Sequence, residues 1–193
     1  MNSLFSRACR PHWALIGSVA TSISLQGCAA DAPTVPTRTG EPVSLLIQGY
    51  NYTDDYIESF TVNGQGGGNI FESGPSSGGG KSACCLSYTP GTSLPIRLKV
   101  RWTASYCWYR GTTKYGPTAP RLKDLWKEAE ALVTHVNDEK PRALEVHFFP
   151  DGRVEAAITA GYSPPRLVLQ RNSDGRRPGV QHDYPWCTDE QLR

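Results

Sequence analysis

The sequence has no apolar run long enough to cross a bilayer and no strong excess of charge of either sign. Its most apolar stretch, residues 13–25, is broken by Ser and Thr and is shorter than the roughly 20 residues of a spanning helix. Twenty basic residues stand against 18 acidic ones, and two of the basic ones, Arg7 and Arg10, lie before that stretch. The rest of the chain is formally neutral, which removes the electrostatic basis for binding nucleic acid.

The motifs that define common enzymes are incomplete. Lys81 follows a glycine run as in a phosphate-binding loop, but Pro75 occupies the place of the first glycine and has no amide proton to donate. Ser76 is centred in Gly-x-Ser-x-Gly, yet it lacks the strand and helix that flank a nucleophile elbow. Residues 64–69 miss the dinucleotide fingerprint because Asn69 replaces the last glycine. With no zinc-protease motif and no close carboxylate–histidine cluster evident, we predict a protein without catalytic residues, metal or cofactor.

The N-terminal segment has the layout of a secretory signal peptide. A basic start precedes the short apolar stretch, which ends in Leu25-Gln26-Gly27-Cys28. This ending resembles a bacterial lipobox, although the glutamine departs from it, and the resemblance implies cleavage before Cys28 and acylation of that cysteine. Because Ala29 is not an aspartate, we expect the periplasmic face of the outer membrane. The predicted divisions are a signal peptide at 1–27 and a Pro- and Thr-rich lipidated tether at 28–42; an ordinary signal peptide is the alternative.

Four further cysteines lie in the rest of the chain: Cys84, Cys85, Cys107 and Cys187. An even number in an oxidising compartment predicts two disulfides. Because neighbouring residues of a strand point to opposite faces, the two adjacent cysteines are expected to bond to the two distant ones rather than to each other. Which of them pairs with which is open. A zinc site is the alternative, although no two of the four have C-x₂-C spacing.

Alternation of apolar and polar residues predicts a series of strands, at 43–51, 56–63, 83–88, 96–103 and 105–110. A Pro-Asp-Gly turn between two further strands, 143–149 and 153–158, predicts a hairpin. The glycine-rich residues that follow Asn63 are expected to form a turn and a loop. His147 is expected to be a half-exposed strand residue.

Apolar residues share one helical face in residues 121–134, which are therefore the predicted helix. The tail from Gly161 is expected to wrap the surface, held by Cys187. The predicted fold is α+β and β-dominated: a single antiparallel-sheet domain over 43–193 with about seven short strands, one helix and disulfide bridges.

Tyrosines cluster where the predicted first strand ends, next to glycine-rich stretches with an adaptable backbone. Tyrosine is enriched at protein interfaces, so this region is the predicted binding surface. The candidate partner-binding residues are Tyr50, Asn51, Tyr52, Asp54, Asp55, Tyr56, Gln65 and Asn69.

Six stretches carry a family resemblance: Asn51-Tyr52-Thr53-Asp54, Phe60-Thr61-Val62-Asn63-Gly64, Gly66-Gly67-Gly68-Asn69, Cys84-Cys85, Val146-His147-Phe148 and Pro150-Asp151-Gly152. They resemble an uncharacterised family of proteobacterial lipoproteins, known mainly as a domain of unknown function, from about Leu45 to Cys187. Such proteins are often encoded beside type VI secretion lipase effectors, and the resemblance brings no catalytic residues.

The resemblance implies a non-enzymatic periplasmic immunity protein that binds and inhibits a cognate secreted phospholipase. The membrane is then contacted through the N-terminal lipid alone. One alternative is an envelope structural or small-ligand-binding lipoprotein without a toxin partner, and a minor one is a hydrolase that uses Ser76.

Overall fold

Alternating apolar residues build two four-stranded sheets in the part of the chain that the computed structural model describes, residues 40–136, 140–180 and 183–193. The first sheet, in the order β10-β9-β1-β4, contains β1 (Val43–Asn51), β4 (Ala83–Tyr88), β9 (Ala143–Phe148) and β10 (Val154–Thr159). The second, in the order β3-β2-β5-β8, contains β2 (Ile57–Val62), β3 (Gln65–Ile70), β5 (Ile96–Tyr109) and β8 (Arg121–Val133). Two short strands, β6 (Thr112–Thr113) and β7 (Gly116–Pro117), form a ribbon at the end of the β5–β8 hairpin. A helix, α1 (Asp189–Leu192), lies near the C-terminus.

The predicted signal peptide 1–27, the lipidation residue Cys28 and most of the 28–42 tether lie outside the described residues. These assignments therefore stay predictions. No helix among the described residues is long and apolar enough to cross a membrane.

The core lies between the two sheets, where the inward residues of the strands meet. Fully buried members from both sheets include Leu45, Ile47, Phe60, Val62, Val100, Val133, Leu144, Val146 and Phe148. The pairings within the two large sheets are antiparallel except that of β1 with β9, which is parallel. β8 lies beside β10 and β3 lies beside β4, so the sheet edges meet at both sides of the sandwich. This arrangement protects the edges against pairing with other chains.

The helix predicted at 121–134 is wrong, because these residues form β8 and pair with β5 along their whole length. Leu, Lys, Glu and Ala dominate the segment and favour a helix when taken alone. Ala129, Ala131 and Val133, however, also alternate, and they pack against the apolar face of β5. Pairing with a 14-residue strand therefore overrides local propensity.

The strands at 43–51 and 83–88 and the 143–158 hairpin are confirmed, but the described residues contain ten strands rather than seven. One unexpected strand is β3, which occupies glycine-rich residues that we predicted to be a loop. Asn63 and Gly64 do form the turn before it, both with positive φ. Gly67 is required in β3 because a Cβ atom there would collide with the ring of Phe60. The glycine therefore serves packing against a neighbouring strand.

The predicted cysteine pairing is wrong. Cys107 is bonded to Cys187, with a sulfur–sulfur distance of 2.01 Å, and Cys84 is bonded to its neighbour Cys85. The adjacent cysteines lie on β4 of the first sheet, whereas the other pair links β5 to the C-terminal tail. The tail is brought to β5 by main-chain hydrogen bonds, from the Trp108 N–H to the Pro185 carbonyl and from the Cys187 N–H to the Trp108 carbonyl, each 2.8 Å.

Candidate functional site

Charged and aromatic side chains meet on the outer face of the first sheet. The parallel register places Gln48 beside Glu145 and Tyr50 beside His147. These side chains point away from the core because they alternate with its apolar residues along each strand. We call Tyr50, Tyr52, Glu145 and His147 the polar cluster. All four are fully buried, which is unusual for a carboxylate and an imidazole.

The imidazole of His147 is held by its neighbours on three sides. Its Nδ1 lies 3.1 Å from the hydroxyl of Tyr52, and its Nε2 lies 3.5 Å from Oε2 of Glu145. The ring of Tyr50 stacks on it, with 4.4 Å between centroids. The Oε2–Nε2 separation is at the outer limit of a hydrogen bond, and neither atom has a better partner among the described residues.

The burial of the cluster is caused by a stretch of the C-terminal tail, Tyr162–Arg166, which we call the cover. The backbone N–H of Ser163 donates to Oε1 of Glu145 at 2.6 Å, and its carbonyl accepts from the Tyr50 hydroxyl at 2.7 Å. The backbone N–H of Arg166 donates to the Tyr52 hydroxyl at 2.8 Å. The guanidinium of Arg166 also contacts Glu155 at 3.0 Å, on the strand next to His147. The cover therefore forms hydrogen bonds with Tyr50, Tyr52 and Glu145, whereas His147 contacts only the other members of the cluster.

These contacts set the ionisation of the cluster. Burial lowers the pKa of His147 and outweighs the attraction of Glu145, so the imidazole is neutral at pH 7. Burial alone would raise the pKa of Glu145, but hydrogen bonds from His147 and Ser163 overcome it and leave the pKa below its ordinary value. Burial, with the nearby Glu145 charge, raises the pKa of Tyr50. The arrangement is one buried carboxylate among neutral donors.

In this conformation no solvent-borne substrate reaches the imidazole or the carboxylate, because the cover closes the outer face of the sheet. The cluster joins β1, β9 and the tail through hydrogen bonds. Its chemistry is therefore that of a polar bridge between the sheet and the C-terminal segment, and each of its members is costly to remove.

The sequence analysis missed this cluster, and the expectation of a half-exposed His147 is wrong because its side chain is fully buried. The available signal was the alternation of Glu145 and His147 with apolar neighbours. That pattern places both side chains on the outer face but does not show that another segment covers it.

The predicted partner-binding residues fall into three groups. Tyr50, Asn51 and Tyr52 are fully buried, so they do not form a free surface. Asp54 and Asp55 bind the tail instead: Asp54 pairs with the guanidinium of Arg177 at 2.6 Å, and Asp55 accepts a hydrogen bond from the Tyr184 hydroxyl at 3.0 Å. Hydrogen bonds from Arg177 lower the pKa of Asp54.

Tyr56, Gln65 and Asn69 lie at the β2–β3 hairpin, where side chains are accessible. Gln65 lies at the turn end of the hairpin, whereas Tyr56, Asn69 and Phe71 meet at its other end and form what we call the aromatic rim. The ring of Phe71 is 59% exposed and lies 4.8 Å from the ring of Tyr56. The side-chain amide of Asn69 donates to the Tyr56 hydroxyl at 2.6 Å. The rim thus presents the exposed ring of Phe71 against a half-buried Tyr56 whose hydroxyl is held by Asn69.

A groove of about 880 Å³ lies between the glycine-rich loop 74–80 and the cover. Gln48, Tyr50, Ser76, Lys81 and Tyr162 are among its lining residues. The residues after Ser76 lead into a strand rather than a helix, so the setting of a nucleophile elbow is not met. No group of three or more His, Cys, Asp or Glu side chains in the described residues is placed to hold a metal ion.

The geometry defines a disulfide-bonded β-sandwich domain that buries a carboxylate–imidazole pair beneath its own tail and exposes an aromatic rim. A family model described as a protein of unknown function, DUF3304, matches residues 50–156, more than half of the chain, and the chain belongs to this family. The match includes the polar cluster and the rim, and it ends before the cover. No curated protein and no solved structure matches the chain.

Proposed function

We propose that the protein is a non-enzymatic lipoprotein, anchored through Cys28 to the periplasmic face of the outer membrane, that binds and inhibits a secreted phospholipase. In this role it is the immunity protein of a type VI secretion effector. The observation that carries the proposal is the aromatic rim, in which the exposed Phe71 packs on the half-buried Tyr56 beside the β2–β3 hairpin.

The rim has the properties of an interface anchor. Aromatic side chains dominate the binding energy of protein interfaces when they are large, rigid and free to be covered by a partner. Phe71 offers the exposed surface, and the hydrogen bond from Asn69 to Tyr56 fixes the ring beside it. Little conformational entropy is then lost on binding, which favours affinity.

The rest of the domain suits an inhibitor that must stay folded in the periplasm. Its edges are closed, its tail is bonded through Cys187, and the cover donates a hydrogen bond to the buried carboxylate of Glu145. A lipid on Cys28 would hold the domain where an incoming phospholipase meets the envelope.

The test is a calorimetric titration of residues 29–193, oxidised, into the product of the adjacent gene, with a lipase assay on the same samples. We expect nanomolar binding (about −12 kcal/mol) and loss of lipase activity. Phe71→Ala should weaken binding by roughly 30-fold, since truncating an anchor costs about 2 kcal/mol. Tyr162→Ala, a similarly exposed aromatic away from the rim, is the matched control and should leave the affinity unchanged. If the titration releases no heat and the lipase activity is not reduced, the proposal is contradicted.

The groove favours a second candidate, an envelope lipoprotein that binds a small ligand. Its volume of about 880 Å³ is within the range of ligand sites, and Gln48, Lys81 and Tyr162 offer polar and aromatic contacts. A small-molecule thermal-shift screen of the same domain discriminates the two, because a ligand of the groove should raise the melting temperature of the wild type and fail to do so in Tyr162→Ala.

A further inference from the structure

The β5–β8 hairpin extends beyond the second sheet as an arm. β2 pairs with β5 only from Val100 to Trp102, whereas β5 and β8 remain paired out to Tyr109 and Arg121. Along this outer part, the tail residues that flank Trp186 pair with the other edge of β5. The arm ends in residues 110–120, which we call the tip, and these contain the β6–β7 ribbon.

Tyr115 lies at the turn of the tip and is 88% exposed. The turn around it is ordered by hydrogen bonds: the hydroxyl of Thr113 accepts from the Tyr115 N–H at 3.2 Å and donates to the Gly116 carbonyl at 3.0 Å. Gly116 has a φ of 111°, a conformation that favours glycine. The tyrosine is therefore presented to solvent by a defined turn.

A row of apolar side chains crosses the arm behind the tip. Trp108 is paired with Trp186 on one side and with Leu122 on the other, which places the three side chains on the same face. Trp186 is 56% exposed and Leu122 is 42% exposed. The guanidinium of Arg110 lies 5.3 Å from the Trp186 ring. This face combines exposed apolar surface with a cation.

The tip and the residues that flank it in sequence carry charge of a single sign, and the nearest acidic residues of the tail, Asp189 and Glu190, lie in α1 beside Lys123. From Arg110 to Lys123 the chain contains four basic residues and no acidic one. No ion pair within the described residues involves Arg110, Lys114 or Arg121. On the outer face of the second sheet the opposite holds, because Arg97 and Lys99 are each matched by a glutamate.

We infer that the tip is a membrane-contact element that docks on the anionic headgroups of a phospholipid bilayer. Tyr and Trp side chains favour the interface between headgroups and hydrocarbon, and unpaired Lys and Arg residues are attracted to anionic lipids. A protein interface is the weaker explanation, because four cations with no acidic residue among them suit a uniformly anionic surface better than the mixed polar rim of a protein interface. The docking goes beyond the inhibitory function proposed above and does not depend on it.

The test uses the chain from Ala29 onward, which contains the whole compact unit Pro36–Arg193 and lacks the lipid. Cosedimentation with vesicles of phosphatidylglycerol and phosphatidylethanolamine is compared with cosedimentation on phosphatidylcholine vesicles. We expect at least tenfold stronger binding to the anionic vesicles, lost at high salt because the attraction is screened. Free glycerol phosphate at millimolar concentration should not compete, since the bilayer itself is the ligand.

Two variants of equal charge change separate the tip from the net charge of the domain. Lys114→Glu with Arg121→Glu should reduce binding to anionic vesicles at least tenfold. Lys81→Glu with Lys140→Glu, two exposed lysines elsewhere, should reduce it less than threefold. Tyr115→Ser should also weaken binding, and Tyr162→Ser should not.

Three outcomes would overturn the inference: no binding to anionic vesicles, equal binding to both vesicle types, or equal losses in the tip and control variants. If the tip variants reduce binding to the phospholipase but not to vesicles, the tip is a protein interface instead. The melting temperatures of the tip variants, measured alongside, should match that of the wild type because the tip lies outside the core.

Discussion

The two sheets use similar side chains on their outer faces in opposite ways. On the first sheet, Glu145 and His147 are fully buried beneath the cover, and Glu145 accepts a hydrogen bond from the Ser163 N–H. On the second sheet, Glu128 and Glu130 stay in solvent and pair with Lys99 and Arg97 across the β5–β8 hairpin. The first sheet carries a buried hydrogen-bond network, and the second carries a row of exposed ion pairs, which we call the ladder.

The difference shows how the setting of a charge decides its energetic role. An exposed pair gains little because water solvates both partners well in the unfolded chain. A buried carboxylate has lost that solvation, so every donor aimed at it becomes necessary. The same residue type is therefore dispensable on one sheet and indispensable on the other.

The largest expected effect is at Glu145. Glu145→Ala leaves the part-buried Ser163 N–H and the buried His147 ring without their acceptor, and it should lower the free energy of unfolding by about 3–5 kcal/mol, because an unpaired buried donor costs about 1–3 kcal/mol and the truncated side chain leaves a cavity. Glu130→Ala is the matched control on the other sheet and should cost less than about 1 kcal/mol. Urea denaturation of both variants measures the contrast, and equal losses would refute the distinction between the two faces.

The next largest loss of stability is expected for the Cys107–Cys187 disulfide, which attaches the tail to β5. Replacing Cys107 and Cys187 by Ser opens a link across 80 residues and should cost about 2–4 kcal/mol. Hydrogen exchange should show reduced protection in the tail before it does in β9. The Cys84–Cys85 bond joins adjacent residues and closes no long loop, so replacing both by Ser should cost far less stability. A larger loss in this second variant would contradict the entropic argument.

The local sequence pattern predicted the bounds of some strands correctly. β1 and β4 were found at their predicted bounds because alternating apolar residues and nearby Gly or Pro mark their ends. β8 was missed because its residues favour a helix and only the pairing with β5 makes a strand of them. β3 was missed because its glycines are chosen for the close approach of Phe60, which no local pattern reveals.

The site depended on contacts that the sequence does not display. Glu145 and His147 could be placed on the outer face of β9 from alternation alone, but the cover that buries them has no periodicity. The cysteine pairing failed for the same reason, since the proximity of Cys107 to Cys187 follows from the path of the tail. The exposure of the aromatic rim also depends on which surfaces the tail leaves open.

A smaller effect is expected in the pH dependence of stability, which should depend on the buried His147 of the first sheet. The pKa of His147 lies below its ordinary value of 6.5, so the unfolded chain takes up a proton at a higher pH than the folded one. Stability should therefore be full above pH 6.5 and fall as the pH drops towards the folded pKa, and the lowered pKa of Glu145 adds a loss of the same sign at still lower pH. Tyr50, Tyr52, Glu145, Glu155 and Arg166 are the titratable groups that face the imidazole.

Urea midpoints of the wild type and His147→Gln, measured from pH 8 to pH 5, check this expectation. The difference in unfolding free energy between them should be constant above pH 7 and shrink below pH 6.5, because glutamine does not titrate. Parallel curves over the whole range would show that the imidazole is not the group responsible.

The smallest effect is expected in the ladder of the second sheet. Lys99 and Glu128 lie 2.9 Å apart, and their side chains are 68% and 49% exposed, so solvent screens their attraction. A double-mutant cycle with Lys99→Ala and Glu128→Ala should give a coupling energy of about 0.2–0.5 kcal/mol, falling further at high salt. A coupling above roughly 1.5 kcal/mol would mean that the ladder behaves as a network, with the stacking of Arg101 on Trp126 at 4.4 Å ordering its side chains. In that case the exposure of a charged side chain would not by itself predict its contribution to stability. The contacts among the charges on each sheet would decide that contribution.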